Sequence, residues 1–160
     1  IRNILDSSKQ NAIPLSKDAD TLRLYIELEQ LRNENKFTSE IKADEQLLQN
    51  DYRVPPLIIQ PYVENAILHG LRNRLDNAGK LTVSISRQNG HLEYIIEDNG
   101  VGRSVQNYSF KKEKQSYGLQ ITNDRVKLFN VEDTASVEIT DLSSNGTPTG
   151  TRVRVFIKIK

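Results

Sequence analysis

The chain has 160 residues, no cysteine, and 22 basic against 21 acidic side chains, a formal net charge of +1. That length suits one domain whose core needs no covalent staple. The lack of cysteine excludes disulfides and thiolate metal sites, and the near-neutral balance argues against a broad nucleic-acid surface.

No apolar run approaches the roughly 20 residues that span a bilayer, and no signal peptide is present. Neither nucleic acid nor membrane contact is therefore expected of this segment. The chain opens on Ile1 and contains no Met, which reads as a piece of something longer.

Residues 1–14 are polar and end at Pro14, a leader into a first helix. Ser16 is the expected N-cap, with Lys17 to Asp20 as the first turn. Leu22, Tyr25, Ile26 and Leu28 recur at near-helical spacing, predicting a helix over 16–34. Phe37 to Ile41 alternates weakly, as a strand would.

Val54-Pro55-Pro56 is expected to open a second helix, because proline suits a first turn. Leu57, Ile58, Tyr62, Val63, Ala66 and Ile67 make it apolar over much of its circumference, so it should be buried, with Pro61 bending or tightening its start. Leu81 to Arg87 and Leu92 to Glu97 alternate at period two about Gln88-Asn89-Gly90, a hairpin. Asp98-Asn99-Gly100-Val101-Gly102 follows the apolar run Tyr94-Ile95-Ile96. A buried Asp there can accept a hydrogen bond from an exocyclic amine, and the glycines can turn with positive φ and admit a flat ring. Taken alone, Asp-Asn-Gly is also ordinary hairpin chemistry.

The charged stretch 103–116 is expected to be a mobile loop, followed by a third helix over 119–130. Ser136 to Leu142 and Thr151 to Lys158 are the closing strands, joined by a turn rich in Ser, Asn, Gly and Pro. This order predicts an α+β fold, a mixed sheet with helices stacked on one face.

Four segments together resemble the GHKL ATPases, the superfamily of histidine kinases, gyrase and the heat-shock chaperone ATPases. Pro61 to Gly70 resembles the N box, Asp98 to Gly102 the first glycine box, and Ser116-Tyr117-Gly118-Leu119 with Asn123 and Arg125 the second. Gly150-Thr151-Arg152-Val153 is similar to the last motif, whose Thr sits beside the adenine. Leu22 to Glu29 with Arg32, Val54-Pro55-Pro56-Leu57, and Glu64-Asn65-Ala66 with His69-Gly70 resemble LytS-type sensor histidine kinases more narrowly.

The resemblance implies a two-layer α/β sandwich of the GHKL type preceded by an N-terminal helix. It divides the chain into 1–36, a leader and helix left from a dimerisation and phosphoacceptor region, and 37–160, an ATP-binding catalytic domain. Asn65 and His69 are four apart and share a helix face. Asn65 would hold a magnesium ion that bridges phosphates and keeps most of its waters, and His69 would donate to a phosphate oxygen. Asp98 would take the adenine amine, with Gly100 and Gly102 turning under the base and Thr151 supporting Asp98 or its bridging water. Gly118 and Leu119 would begin a helix whose amides meet phosphates.

The chain departs from the superfamily pattern at two points. Pro61 stands where water-activating members carry a general-base Glu, and Glu64, adjacent to Asn65, points about 100° away around the helix. Glu64 is left to order a water or the acceptor imidazole, or to pair with an Arg. Tyr117 stands where many kinases have another glycine. Lys111, Lys112, Lys114 and Arg125 are candidate phosphate contacts, though a solvated charge run is the better explanation of the three lysines and a surface ion pair explains Arg125 equally. Neither His69 nor His91 has the setting of a phosphoacceptor.

The resemblance implies transfer of the ATP γ-phosphate to a histidine outside this segment, with a response regulator as partner and a homodimer when full length. It places the segment on the cytoplasmic side of a protein anchored in the bacterial inner membrane. The alternatives are a catalytically degenerate nucleotide-binding or docking module and an anti-sigma-type serine kinase.

Overall fold

Period-two alternation builds a five-stranded sheet. The structure, a computed structural model, describes residues 12–102 and 137–159. β1 (Ile13–Pro14), β2 (Phe37–Ala43), β3 (Arg53–Val54), β4 (Gly79–Gln88), β5 (His91–Asp98), β6 (Val137–Ser144) and β7 (Thr147–Lys158) are its strands. The large sheet has the order β2-β4-β5-β7-β6, with β2 parallel to β4 and every other pair antiparallel. This mixed α+β sheet is the one expected. The third helix and the loop before it, as expected over 103–130, lie outside the described residues.

The hairpins follow their turn chemistry. Asn89 and Gly90 join β4 to β5 with φ of 46° and 84°, the paired positive values of a two-residue turn that matches strand twist. β6 and β7 run further than expected, because their connection is again only Asn145-Gly146, at φ 52° and 79°. Ser143 to Pro148, expected as turn, is therefore largely strand, with a register shift between Leu142 and Ser143.

α1 (Leu15–Arg32) is displaced by a residue or two from the expected 16–34. Ser16 is not its cap. Pro14 holds that position without a side-chain bond, and β1 pairs with β3 while the Leu15 N–H donates to the Tyr52 carbonyl at 2.8 Å. Glu34 and Asn35, at φ 54° and 57°, stop the helix. A short α2 (Glu45–Gln49) was not anticipated.

The second helix begins later than expected. Pro56 disfavours helical backbone at Pro55, and Leu57 turns left-handed at φ 61° with its side chain exposed. α3 therefore starts at Gln60, with Pro61 in its first turn. It continues as a π-helical turn, Ala66–Leu71. Among the described residues no helix is long and apolar enough to cross a membrane.

The inward sheet face presents Leu81, Val83 and Ile85, then Leu92, Tyr94 and Ile96, then Val153, Val155 and Ile157. Leu15, Ala19, Leu22 and Ile26 of α1 and Tyr62, Val63 and Ile67 of the second helix join the same cluster. The other face carries ion pairs, Arg152 with Glu97 and Arg154 with Glu93 and Glu138.

One polar bond crosses the core. The Tyr94 hydroxyl, fully buried, donates to Asp18 Oδ2 at 2.8 Å and ties α1 to the middle of the sheet. Burial raises the Asp18 pKa, and this bond opposes the rise. Tyr94→Phe should cost about 1–3 kcal/mol, since it strands a buried acceptor. Without the hydroxyl the folded Asp18 pKa rises further, so the ionised form alone carries the extra penalty. The loss in urea unfolding should thus be larger at pH 7 than near pH 4.

Candidate functional site

Asp98 ends β5 on the inward face, flanked in register by Leu81 and Thr151. It is 4 % exposed. Its Oδ1 accepts the Gly100 N–H at 2.9 Å; among the described residues no donor meets Oδ2. Burial pushes this carboxyl up to about 6, against the opposing pull of the Gly100 N–H. A buried carboxylate with one oxygen unmatched is costly in isolation, and such a group is a mark of a ligand site.

The helix end is shaped to meet it. In the π-helical turn the Arg72 N–H bonds five residues back to the Ile67 carbonyl at 2.8 Å, and turns of this kind are frequent at functional sites. The Gly70 carbonyl accepts the Val101 N–H at 3.2 Å. A Cβ on Gly70 would lie 2.5 Å from Asp98 Oδ1, and one on Gly100 would overlap the Gly70 backbone. The two glycines are thus required by close approach. Only the second glycine of the motif needs left-handed backbone, Gly102 at φ 78°.

Between these parts lies a small pocket that is open to solvent. Tyr62, Asn65, Ala66, His69 and Gly70 form the helix wall, Asp98 and Gly102 the loop wall, and Thr151 and Val153 the strand wall. Of the residues expected at the site, Asn65, His69, Asp98, Gly102 and Thr151 thus share one concavity. Gly100 stands behind it against Gly70.

Glu64 is exposed and absent from that wall. Its charge is felt instead by Tyr25, whose phenol is pushed upward by burial first and then by Glu64 and Glu29. His91 begins β5, at the opposite end of the strand from Asp98. Gly118, Leu119, Lys111, Lys112, Lys114 and Arg125 lie outside the described residues.

Two residues near the site were not singled out from the sequence. Asn99 acts as an extra rung of the sheet: its side chain accepts from the Lys80 N–H at 2.6 Å and donates to the Ala78 carbonyl at 3.1 Å. Arg74 donates to the Asn99 carbonyl at 2.5 Å and pairs with Asp76. Asn99 was visible only as part of the Asp98 to Gly102 motif, and no sequence pattern pointed to Arg74.

Among the described residues no group of three or more His, Cys, Asp and Glu could cage a metal. The donor set of the pocket, one amide and one imidazole beside a single carboxyl, fits a divalent ion only if that ion arrives with most of its oxygen ligands.

Comparison with known proteins is consistent across sequence and structure. Sensor protein LytS of Staphylococcus epidermidis is 36% identical over 101 residues, 63% of this chain and 17% of that protein. LytS of Oceanobacillus iheyensis is 28% identical over 131 residues, 82% of this chain and 22% of that protein. The chain thus spans less than a quarter of the length of these curated relatives.

The mycobacterial sensor histidine kinase MprB superposes with a TM-score of 0.58 at 16% identity, covering 89% of this chain and 94% of its own. The catalytic domain of histidine kinase ThkA gives 0.61 at 14%, covering 92% and 94%. These likenesses establish the fold. The family model described as histidine kinase-, DNA gyrase B- and HSP90-like ATPase matches residues 51–160, more than half of the chain. The chain therefore belongs to the family of histidine kinase-, DNA gyrase B- and HSP90-like ATPases.

Proposed function

We propose that this chain is the ATP-binding catalytic domain of a two-component sensor histidine kinase, delivering the ATP γ-phosphate to a histidine on a segment outside it. The observation that carries the reading is the buried Asp98 carboxyl at the floor of a pocket whose walls hold Asn65, His69 and Thr151. Its unmatched oxygen suits the exocyclic amine of adenine. Thr151, its cross-strand neighbour, supports it directly or through a water. Gly102, on the loop wall, leaves room for the base, while Gly100 admits the close approach of Gly70 behind it.

Asn65 would hold Mg²⁺ through its amide oxygen once the phosphates supply the remaining ligands, and the ion would neutralise charge on the transferring group. His69 would donate to a phosphate oxygen, as would the amides at Gly118 and Leu119. Glu64, exposed on the same helix, would meet the acceptor imidazole brought from outside. With proline at 61 and Glu64 turned away, the site favours positioning over water activation. The response regulator, the homodimer, the inner-membrane anchor and the origin of residues 1–36 in a dimerisation region belong to this proposal for the longer protein.

Calorimetric titration of ATP tests the site. Binding should be saturable and enhanced by Mg²⁺, with Asp98→Asn abolishing it and Asn65→Ala removing the magnesium enhancement. A folded chain that binds no ATP would demote the site to an inherited scaffold and leave a docking module as the reading.

Asp98 also links binding to stability. Its folded carboxyl titrates near 6, above the ordinary 3.8, so the folded state binds the proton more tightly. Stability from this group is fully present below pH 3.8 and is lost as pH rises through 6. Asp98→Asn, carrying no charge, should therefore stabilise the ligand-free protein at pH 7 by about 1–3 kcal/mol. The same variant should gain nothing on heating with ATP.

A fragment carrying the phosphoacceptor helix, added to this chain with ATP and Mg²⁺, should acquire acid-labile phosphate. Acid-stable phosphate on a protein partner would indicate the serine-kinase alternative.

A further inference from the structure

Residues 72–78 join the π-helical turn to β4. In the structure they converge on one peptide group. Arg74 and Asp76 form a two-pronged ion pair, Nε to Oδ1 at 2.7 Å and Nη2 to Oδ2 at 2.9 Å. Asp76 is held in turn by the Ala78 N–H at 3.2 Å. The remaining arm of the guanidinium, Nη1, donates to the Asn99 carbonyl, 25 residues further along the chain.

That carbonyl belongs to the peptide joining Asn99 to Gly100. Its N–H is the donor to Asp98 Oδ1. A continuous line therefore runs from the guanidinium through one peptide plane to the carboxyl that floors the pocket. The planar fork matters here, because it fixes the direction of the third donor as an ammonium cannot. The donors in such a line polarise one another. The Asn99 side chain, bonded to Ala78 and Lys80, secures the same peptide from the sheet side. An ion pair as open as Arg74–Asp76, at 25 % and 59 % exposure, contributes little to stability by itself, so its geometry calls for another use.

We propose that Arg74 is a positioning residue for base recognition: it locks the Asn99–Gly100 peptide so that Asp98 engages that N–H with one oxygen and presents the other to the exocyclic amine of the base. The inference rests on the adenine reading above. Its consequence is selective. Arg74 should govern discrimination for the amine more than affinity for the rest of the nucleotide.

The test compares ATP with purine riboside 5′-triphosphate, which is ATP without the exocyclic amine, by calorimetry on this chain. Thermal unfolding is recorded for every variant. The wild type should prefer ATP by roughly tenfold or more, as one hydrogen bond to a charged group implies. Arg74→Ala should narrow that preference to about threefold or less, by weakening ATP while sparing the analogue. Arg74→Lys keeps one donor without the fork and should fall between. Asp76→Asn should act in the same direction as Arg74→Ala, and with Arg74→Lys it carries the test should Arg74→Ala unfold.

A wild type with no preference for ATP would overturn the adenine reading itself. A wild-type preference that survives intact in the folded Arg74 and Asp76 variants would overturn the role of Arg74 alone. Equal losses for both nucleotides would assign Arg74 to the fold and also overturn the inference.

Discussion

The site depends on two backbones meeting without side chains between them. Gly70, at the end of the π-helical turn, and Gly100, in the loop after β5, stand so close that a Cβ on either would collide. The Val101 N–H closes the contact on the Gly70 carbonyl. This approach brings the helix bearing Asn65 and His69 over the strand end bearing Asp98. Were either glycine replaced, the helix would have to lift away from the sheet, and the walls of the pocket would no longer belong to one cavity. The π-helical hydrogen bonding of Ala66–Leu71 turns the Gly70 carbonyl toward the loop.

Around that contact the molecule places charge sparingly. Among the described residues the buried carboxyls include Asp18 and Asp98, and these two are treated differently. Asp18 receives the Tyr94 hydroxyl and serves the packing of α1. Among the described residues Asp98 receives one donor, the Gly100 backbone N–H, and it lines the pocket. Both are raised by burial, but only the second borders a space that a ligand can enter. Asp98 is almost fully withdrawn from water before a ligand arrives, so an amine donor regains a hydrogen bond that the fold withholds.

Much of this was legible in the sequence. Alternation located β4 and β5, Asn-Gly pairs located their turn, and the motifs at Asp98 and Asn65 to Gly70 named residues that do share a pocket. Less legible was anything set by backbone detail. Pro55-Pro56 looked like a helix start, yet left-handed Leu57 delays the helix to Gln60. Ser16 had the chemistry of a cap, but strand pairing of β1 with β3 fixes that end instead. The helical period gave no hint of a π-helical turn. Arg74 escaped notice because its partner carbonyl is 25 residues away, and only tertiary structure brings them together.

The central claim is that Asp98 is a buried acceptor whose ionised form is completed by the base. The measurement that reaches it most directly is the pH titration of the Asp98 carboxyl carbon by NMR, with and without ATP. The account predicts a midpoint near 6 in the free protein, moving down by roughly a unit or more when ATP supplies a donor to the ionised form. A free carboxyl titrating at the ordinary value near 4, or a midpoint that saturating ATP leaves in place, would contradict it.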